Sequence, residues 1–213
     1  MKFYKSLVAA VALLAMVLVA AQSATANPLA DPGFELPLVD DGNGVGKWNP
    51  FSDSGASISE MATTMPRTGA GHANLDLSAP NGFAGFFQDV INVVPGSPID
   101  WSVWAKDNSG TNGQGIEMRI EYRESAGDTE VSRTGNLVPG SLGSAYEQIT
   151  LSDTVPAGAD IARVVFAIQS FGTAPPQSVF VDDASVSVQQ IPEPASIALV
   201  GLAGIAVATM RRR

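Results

Sequence analysis

The sequence predicts an all-β body folded as a β-sandwich. It contains 21 glycines and 14 prolines. No stretch between Asn27 and Gln190 repeats its apolar residues with the 3.6-residue period of a helix. Several short runs alternate apolar and polar residues instead, as strands with one buried face do. Alternating runs separated by turn residues favour two packed sheets.

Two runs, 99–106 and 116–123, show this pattern, and 161–169 and 178–188 are further β-rich runs, so all four are predicted to be strands. In the first run, Trp101 shares a face with Ile99 and Val103, which predicts that it points into the core. Trp104 falls on the opposite face. In the second run, the apolar residues share one face, and Glu117, Arg119 and Glu121 lie on the other.

The N-terminus predicts export. Lys2 and Lys5 precede an apolar run over 7–21, which is followed by Ala24-Thr25-Ala26. This order is that of a secretory signal peptide with an A-x-A cleavage site, so residues 1–26 are expected to be removed after Ala26. The alternative is an uncleaved membrane anchor.

The C-terminus has three parts. Pro192-Glu193-Pro194 is followed by an uncharged stretch over 197–210 and then by Arg211, Arg212 and Arg213. A helix over 195–210 spans roughly 24 Å, short of the ~30 Å hydrocarbon core, and local thinning with snorkelling arginines can close that gap. We therefore expect a transmembrane helix at about 196–210, with the arginines cytoplasmic and the body on the far side.

This tail resembles the PEP-CTERM sorting signal of Gram-negative bacteria, and the resemblance covers 191–213. It implies that an exosortase, a membrane cysteine protease, removes the tail after the protein has been held transiently in the inner membrane. The protein would then reach the cell surface or extracellular matrix. A permanent tail anchor is the alternative.

Between these segments lies one domain, 27–190, which is long enough for a real core. Seven of the twelve Lys and Arg residues and twenty of the 21 acidic residues fall there, a net charge of −13. Such a charge opposes binding to nucleic acid. Cysteine is absent, so no disulfide supports the fold.

Four segments of the body resemble the carbohydrate-binding modules of the CBM4/9/22 type, over about 27–188. They are Asp31-Pro32-Gly33-Phe34-Glu35, the stretch 67–75, the stretch 87–106 with its Gln88-Asp89 and Pro95-Gly96 pairs, and the closing stretch 179–186. The resemblance implies a jelly-roll, galactose-binding-like sandwich. Ile99 and Ala184 depart from the residues usual in that family.

The same resemblance implies a structural Ca²⁺ held by Glu35 in the opening strand and by Asp182 or Asp183 in the closing one. Carbonyls around 69–72 would complete the six to eight oxygens that calcium prefers. Adjacent residues on a strand point to opposite faces, so only one of the two aspartates is expected to face a given neighbour. The alternative is a surface pair of acids at a sandwich edge.

A glycan site needs an aromatic platform and polar groups for the sugar hydroxyls. Trp104 is the candidate platform, and Gln88, Arg119 and Gln169 are expected to share its sheet face if their strands are neighbours. The alternative is a face that binds nothing. Trp48 is expected to pack beside the first strand instead.

Catalysis is not expected. Without cysteine there is no Cys–His nucleophile, and His72, the single histidine, lacks a G-x-S-x-G partner motif. Glu117 and Glu121 lie about 13 Å apart along their strand, too far for a glycosidase pair. The predicted function is binding or organising exopolysaccharide. The alternatives are a jelly-roll glycoside hydrolase or lyase, and a structural matrix protein without a ligand.

Overall fold

A computed structural model of the protein describes residues 27–53, 57–78, 82–109, 115–137, 141–170 and 177–190. The predicted signal peptide (1–26), with Ala24 and Ala26, lies outside these residues, as does the predicted helix at 196–210. Pro192, Glu193, Pro194, Arg211, Arg212 and Arg213 lie outside them too. None of the described residues belongs to a helix that is long and apolar enough to cross a membrane.

Ten strands form within the described residues, and all their pairings are antiparallel. They are β1 (Asn49–Ser52), β2 (Ser57–Ala62), β3 (His72–Leu77), β4 (Phe83–Ile91), β5 (Pro98–Asp107), β6 (Gly115–Glu124), β7 (Thr129–Arg133), β8 (Glu147–Thr154), β9 (Ile161–Gln169) and β10 (Gln177–Val188).

The strands make two five-stranded sheets. The first sheet has the order β1-β4-β9-β6-β7, and the second has the order β2-β3-β10-β5-β8. This arrangement confirms the predicted all-β sandwich. Each of the four predicted runs is a strand with almost the predicted bounds. Alternation identified 99–106 and 116–123, and β-rich composition identified the other two.

The core lies between the inner faces of the two sheets. Trp101, Phe86 and Phe166 are fully buried there. Trp48 is 2% exposed and stacks on Phe34 with ring centroids 4.8 Å apart. Trp101 therefore points inward as predicted, and the prediction that Trp48 is a packing residue is also confirmed.

The opening segment 31–35 is a turn and not the strand that the resemblance implied. Pro32 and Gly33 sit in its centre, and the Phe34 amide donates to the Asp31 carbonyl at 3.1 Å. The Asp31 carboxylate accepts from the amides of Glu35 and Leu36 at 2.8 and 2.9 Å. The turn buries Phe34 while its backbone reverses, which a strand does not allow.

A β-bulge interrupts β10. Asp182 pairs with Trp104, whereas the next pair joins Ser185 to Ser102, so β10 carries one residue more than its partner. Asp183 lies within the bulge with φ of 46°. The expected alternation of neighbouring acids therefore does not hold at this point.

Candidate functional site

The outer face of the second sheet is crossed by residues 63–70, which we call the strap. The Tyr146 hydroxyl donates a hydrogen bond to the Met65 carbonyl oxygen at 3.3 Å, and His72 Nε2 lies 2.8 Å from the Thr64 carbonyl oxygen. His72 is fully buried against Phe180, with ring centroids 4.1 Å apart. The single histidine is thus a packing residue beneath the strap.

Trp104 lies on this covered face. It points away from the core, as predicted, but the Arg67 guanidinium of the strap sits 3.7 Å from its ring centroid. Arg67 is also ion-paired with Asp183. Trp104 therefore does not present an uncovered ring to solvent, because the strap uses that ring as a packing surface.

The expectation that Gln88, Arg119 and Gln169 share a sheet face with Trp104 is wrong. The neighbours of β5 are β10 and β8, whereas the strands of the other three residues, β4, β6 and β9, belong to the first sheet. Strand pairing joins segments distant in sequence, so alternation within one strand does not reveal which strands lie beside it.

Gln88 lies on the inner side of its sheet. It pairs in register with Val164, is 1% exposed, and exchanges two hydrogen bonds with the backbone of Ala30, at 2.6 and 3.0 Å. Its side-chain amide thus satisfies the backbone hydrogen-bonding groups of Ala30. It is consequently not part of an outer binding face.

Arg119 and Gln169 do share a face, the outer face of the first sheet. The register of β1, β4, β9 and β6 places three phenylalanines on the same face, with small residues between the phenylalanines and the polar side chains. We call this surface the aromatic face and define it by Phe51, Phe83, Phe87, Gly85, Val165, Ala167, Glu117, Arg119 and Gln169. One side is aromatic and the other is polar, which is the combination that a glycan site requires.

The aromatic side runs along β1 and β4. The ring of Phe51 lies 6.3 Å from that of Phe83 and 6.5 Å from that of Phe87. Phe83 is 39% exposed. The Arg163 guanidinium lies 4.2 Å from the Phe87 ring centroid and pairs with Asp89 through two hydrogen bonds of 2.7 and 2.9 Å.

Gly85 makes room for the Phe51 ring on this face. A Cβ there would lie 2.4 Å from the tip of the Phe51 ring and 2.7 Å from the Phe166 carbonyl oxygen, so no side chain fits. Val165 and Ala167 lie on the same face and are almost fully buried. The small residues are therefore covered by larger side chains, and the Phe51 ring lies over Gly85.

The polar side is a network of paired charges. Arg119 contacts both Glu117 and Glu121, and Gln169 donates to Glu117 at 3.3 Å. Glu117 and Glu121 were excluded as a pair because they lie about 13 Å apart along the strand. That distance does not apply to their carboxylates, because both contact the Arg119 guanidinium. The Arg119 guanidinium lies between the two carboxylates, where a glycosidase pair would have to hold the scissile bond.

A pocket of about 560 Å³ adjoins the aromatic face at the free edge of β1. It is lined by Leu38, Asp40, Asn49, Pro50, Phe51 and Ser52. Phe51 belongs to both surfaces. The aromatic face and the pocket thus meet at one ring.

The three carboxylates predicted to bind calcium all contact the strap. Asp182 accepts from the amides of Arg67 and Thr68 at 2.8 and 3.1 Å, and Glu35 accepts from the Ala70 amide at 3.0 and 3.1 Å. Asp183 accepts from the Thr68 hydroxyl at 2.6 Å. Both aspartates therefore reach Thr68, which the bulge makes possible.

Glu35 and Asp182 fit a cation better than Asp183 does. Asp183 is already ion-paired with Arg67, whose charge opposes a second cation. Asp182 is fully buried, and that burial raises the pKa of its carboxyl group despite backbone hydrogen bonds that lower it. Among the described residues, no group of three or more His, Cys, Asp or Glu residues is placed to hold a metal, so backbone oxygens would have to supply most ligands.

The sequence-based prediction missed the three phenylalanines of the aromatic face. The signal was present in β4, where Phe83, Gly85, Phe87 and Asp89 fall on one face by alternation. Ala84, Phe86 and Val90 fall on the other, so both faces of this strand carry aromatic rings. An aromatic residue that alternates with a carboxylate indicates an outer face.

Comparisons with known proteins agree with this description. Residues 190–213 match the PEP-CTERM protein-sorting motif, and no curated protein sequence matches the chain. One similar solved structure is a CBM4 module, with 22% identity and a TM-score of 0.51 over 76% of this chain and 99% of that one. Another is TmCBM61 in complex with β-1,4-galactotriose, with 14% identity and a TM-score of 0.51 over 78% and 100% of the two chains.

A third similar structure is the enzymatically active domain of tailspike protein 4 from bacteriophage CBA120. Its identity is 19% and its TM-score is 0.53. The match covers 67% of this chain but only 19% of the tailspike chain. Identities this low show the shared fold alone.

The sorting motif implies an exported surface protein that is anchored in the membrane and then processed. The chain thus joins a PEP-CTERM sorting motif to a jelly-roll β-sandwich body like that of carbohydrate-binding modules.

Proposed function

We propose that this protein binds exopolysaccharide in the extracellular matrix of a Gram-negative bacterium, through the aromatic face. The observation that carries the proposal is the juxtaposition of Phe51 and Phe83 with Arg119 and Gln169 on the outer face of the first sheet. Aromatic rings provide flat apolar surface for a sugar ring, and the amide and charged groups bind hydroxyls. Exosortase releases the protein, and its partner is then a glycan.

Two features favour binding over catalysis. The carboxylates on the aromatic face are held by arginines, with Glu117 and Glu121 on Arg119 and Asp89 on Arg163. The buried histidine has no access to a ligand on this face. Hydrolase or lyase activity and a purely structural role remain the competing functions, and they predict different results below.

Calcium at Glu35 and Asp182 is part of the proposal. Both carboxylates hold the strap, and Gly69 at φ of 61° leaves no room for a side chain above Glu35, since a Cβ would lie 1.7 Å from its Oε1. A cation there would offset the burial of Asp182. Its role would be to fix the strap and not to contact the glycan.

Signal cleavage after Ala26 is also proposed. The side chain of Asn27 donates to the Ala184 carbonyl at 2.9 Å and accepts from the Val186 amide at 3.1 Å. Asn27 thus belongs to the folded body, and cleavage before it leaves this contact intact. Intact-mass measurement of the released protein checks both ends, because exosortase processing requires the loss of Arg211, Arg212 and Arg213.

Glycan binding is tested by titrating the full-length protein with a panel of soluble oligosaccharides. Phe83→Ala is the test variant, and Trp104→Ala, on the covered face, is the control. The proposal requires that some glycan binds and that only Phe83→Ala weakens it. Release of reducing sugar would establish an enzyme instead. Binding to nothing in the panel would favour the structural role.

A further inference from the structure

We propose that the ligand of the aromatic face carries free amino groups, as de-N-acetylated hexosamine polysaccharides do. This inference rests on the proposed glycan binding and names its ligand class. It places the recognition of the amine at Asp40 and Asp53, which flank Phe51 at the β1 side of the face.

Asp53 lies on the aromatic face next to Phe83. Its amide donates to the Phe83 carbonyl at 3.1 Å, so it continues the β1–β4 ladder two positions beyond Phe51. Its Oδ1 atom is buried and has no hydrogen-bond partner. The carboxylate as a whole is only half-buried, and because one of its oxygens lacks a donor, a cation that reaches its accessible side would be favoured there.

Asp40 lines the pocket on the other side of Phe51. Its carboxylate makes no hydrogen bond or ion pair with any residue in the part of the chain that the structure describes. Lys47, the basic residue nearest in sequence, is paired with Asp41. Asp40 is therefore an acceptor in a cavity that has the Phe51 ring as one wall, and Asp53 lies two positions beyond that ring along the chain.

The basic residues around this face are already engaged. Arg119, Arg123, Arg133 and Arg163 each pair with at least one carboxylate of the same sheet. The body as a whole has a net charge of −13. Its field attracts cations and repels uronic acids or sulfated sugars.

An ammonium group fits this arrangement more fully than a hydroxyl group does. Each ammonium group offers three donors and no acceptor, which suits a carboxylate that can only accept. It also gains from the faces of Phe51 and Phe83 through cation–π attraction. A hydroxyl group would satisfy the Asp53 oxygen but would leave the charges of both carboxylates uncompensated.

The test compares three oligosaccharides with the same β-1,4-linked backbone: hexamers of glucosamine, of N-acetylglucosamine and of glucose. Calorimetric titration of the full-length protein in detergent gives each affinity. An exposed ion pair at Asp40, a half-buried one at Asp53 and a cation–π contact together predict about tenfold tighter binding of the glucosamine hexamer. This preference should fall as salt is raised.

Asp40→Asn with Asp53→Asn should bring the three affinities close together. The control is Glu60→Gln with Asp100→Asn, which removes the same charge from the second sheet and should keep the preference. If the double variant unfolds, Asp40→Asn alone serves, because that side chain is exposed.

Equal binding of the glucose and glucosamine hexamers by the wild type would overturn this inference and leave the proposed function intact. A preference that survives Asp40→Asn and Asp53→Asn, or that the control abolishes equally, would also overturn it, because the cause would then be net charge. If no glycan in the wider panel binds, the proposed function fails, and this inference fails with it.

Discussion

The outer faces of the two sheets differ although their strands alternate in the same way. On the second sheet, the strap places Arg67 over Trp104 and the Thr64 carbonyl against His72. On the first sheet, Phe83 remains 39% exposed. An outward aromatic residue thus becomes packing where a loop lies over its ring, as at Trp104, and remains a candidate platform where the ring stays exposed, as at Phe83.

The strap is held by ionisable groups, whereas the aromatic face carries its own charges in pairs. Asp182, Asp183 and Glu35 bind the strap backbone and side chains. Arg119 and its glutamates bind one another and do not hold a loop. Substitutions on the second sheet should therefore change stability first, and substitutions on the aromatic face should change binding first.

The largest expected effect comes from the two tryptophans of β5. Trp101→Ala leaves a cavity in the core and should cost roughly 3–5 kcal/mol of the free energy of unfolding. Trp104→Ala removes the surface beneath Arg67 and should cost about 1–2 kcal/mol, since the ring is half-buried. Denaturant unfolding of both variants measures this order. A larger loss of stability in Trp104→Ala would contradict the assignment of the core.

Calcium should act on the strap face alone. A cation that binds only the folded protein adds about 2.7 kcal/mol at a hundredfold excess over its dissociation constant. Melting in EDTA and then in millimolar Ca²⁺ measures the shift, with Glu35→Ala as the variant that should lose it. Equal midpoints in the two buffers, or a shift that Glu35→Ala retains, would refute the calcium site.

The positions of the strands could be predicted from the sequence, but the strands that pair with one another could not. Alternation identified Trp101 as inward and Trp104 as outward, because burial on one face imposes period 2 on each strand by itself. It did not reveal that Arg119 lies in a different sheet from Trp104, because strand order is set by long-range pairing. The bulge at Asp183 was also not predicted, since one added residue leaves no mark in the hydrophobic pattern.

Phe83→Ala should weaken glycan binding by about 1 kcal/mol, the usual contribution of one aromatic contact beyond area burial. The free energy of unfolding should change little, because the side chain is among the exposed hydrophobic residues. Calorimetric titration and melting curves on the same samples separate the two effects. Trp104→Ala is the matched control, and an equal loss of affinity in it would place the ligand on the second sheet or show a general loss of structure.

The smallest expected effect is the pH dependence that Asp182 gives to the strap face. Burial raises the pKa of this carboxyl group in the folded protein, so the folded state holds its proton more tightly than the unfolded state does. The stabilising contribution is then complete below the ordinary pKa of an aspartate and is lost as pH rises through the raised value. The exposed carboxylates Asp41, Asp128 and Glu130 act in the opposite direction, because lysine or arginine partners lower the pKa of each.

Comparison with Asp182→Asn isolates the Asp182 term. In EDTA, the free energy of unfolding of the wild type minus that of Asp182→Asn should fall as pH rises through this window. Saturating Ca²⁺ favours the ionised carboxylate and should reverse the slope. Denaturant unfolding of both proteins at several pH values gives the difference. A slope that calcium leaves unchanged would mean that the cation does not bind at Asp182. A difference that does not vary with pH in EDTA would mean that the Asp182 carboxyl group is not buried in solution.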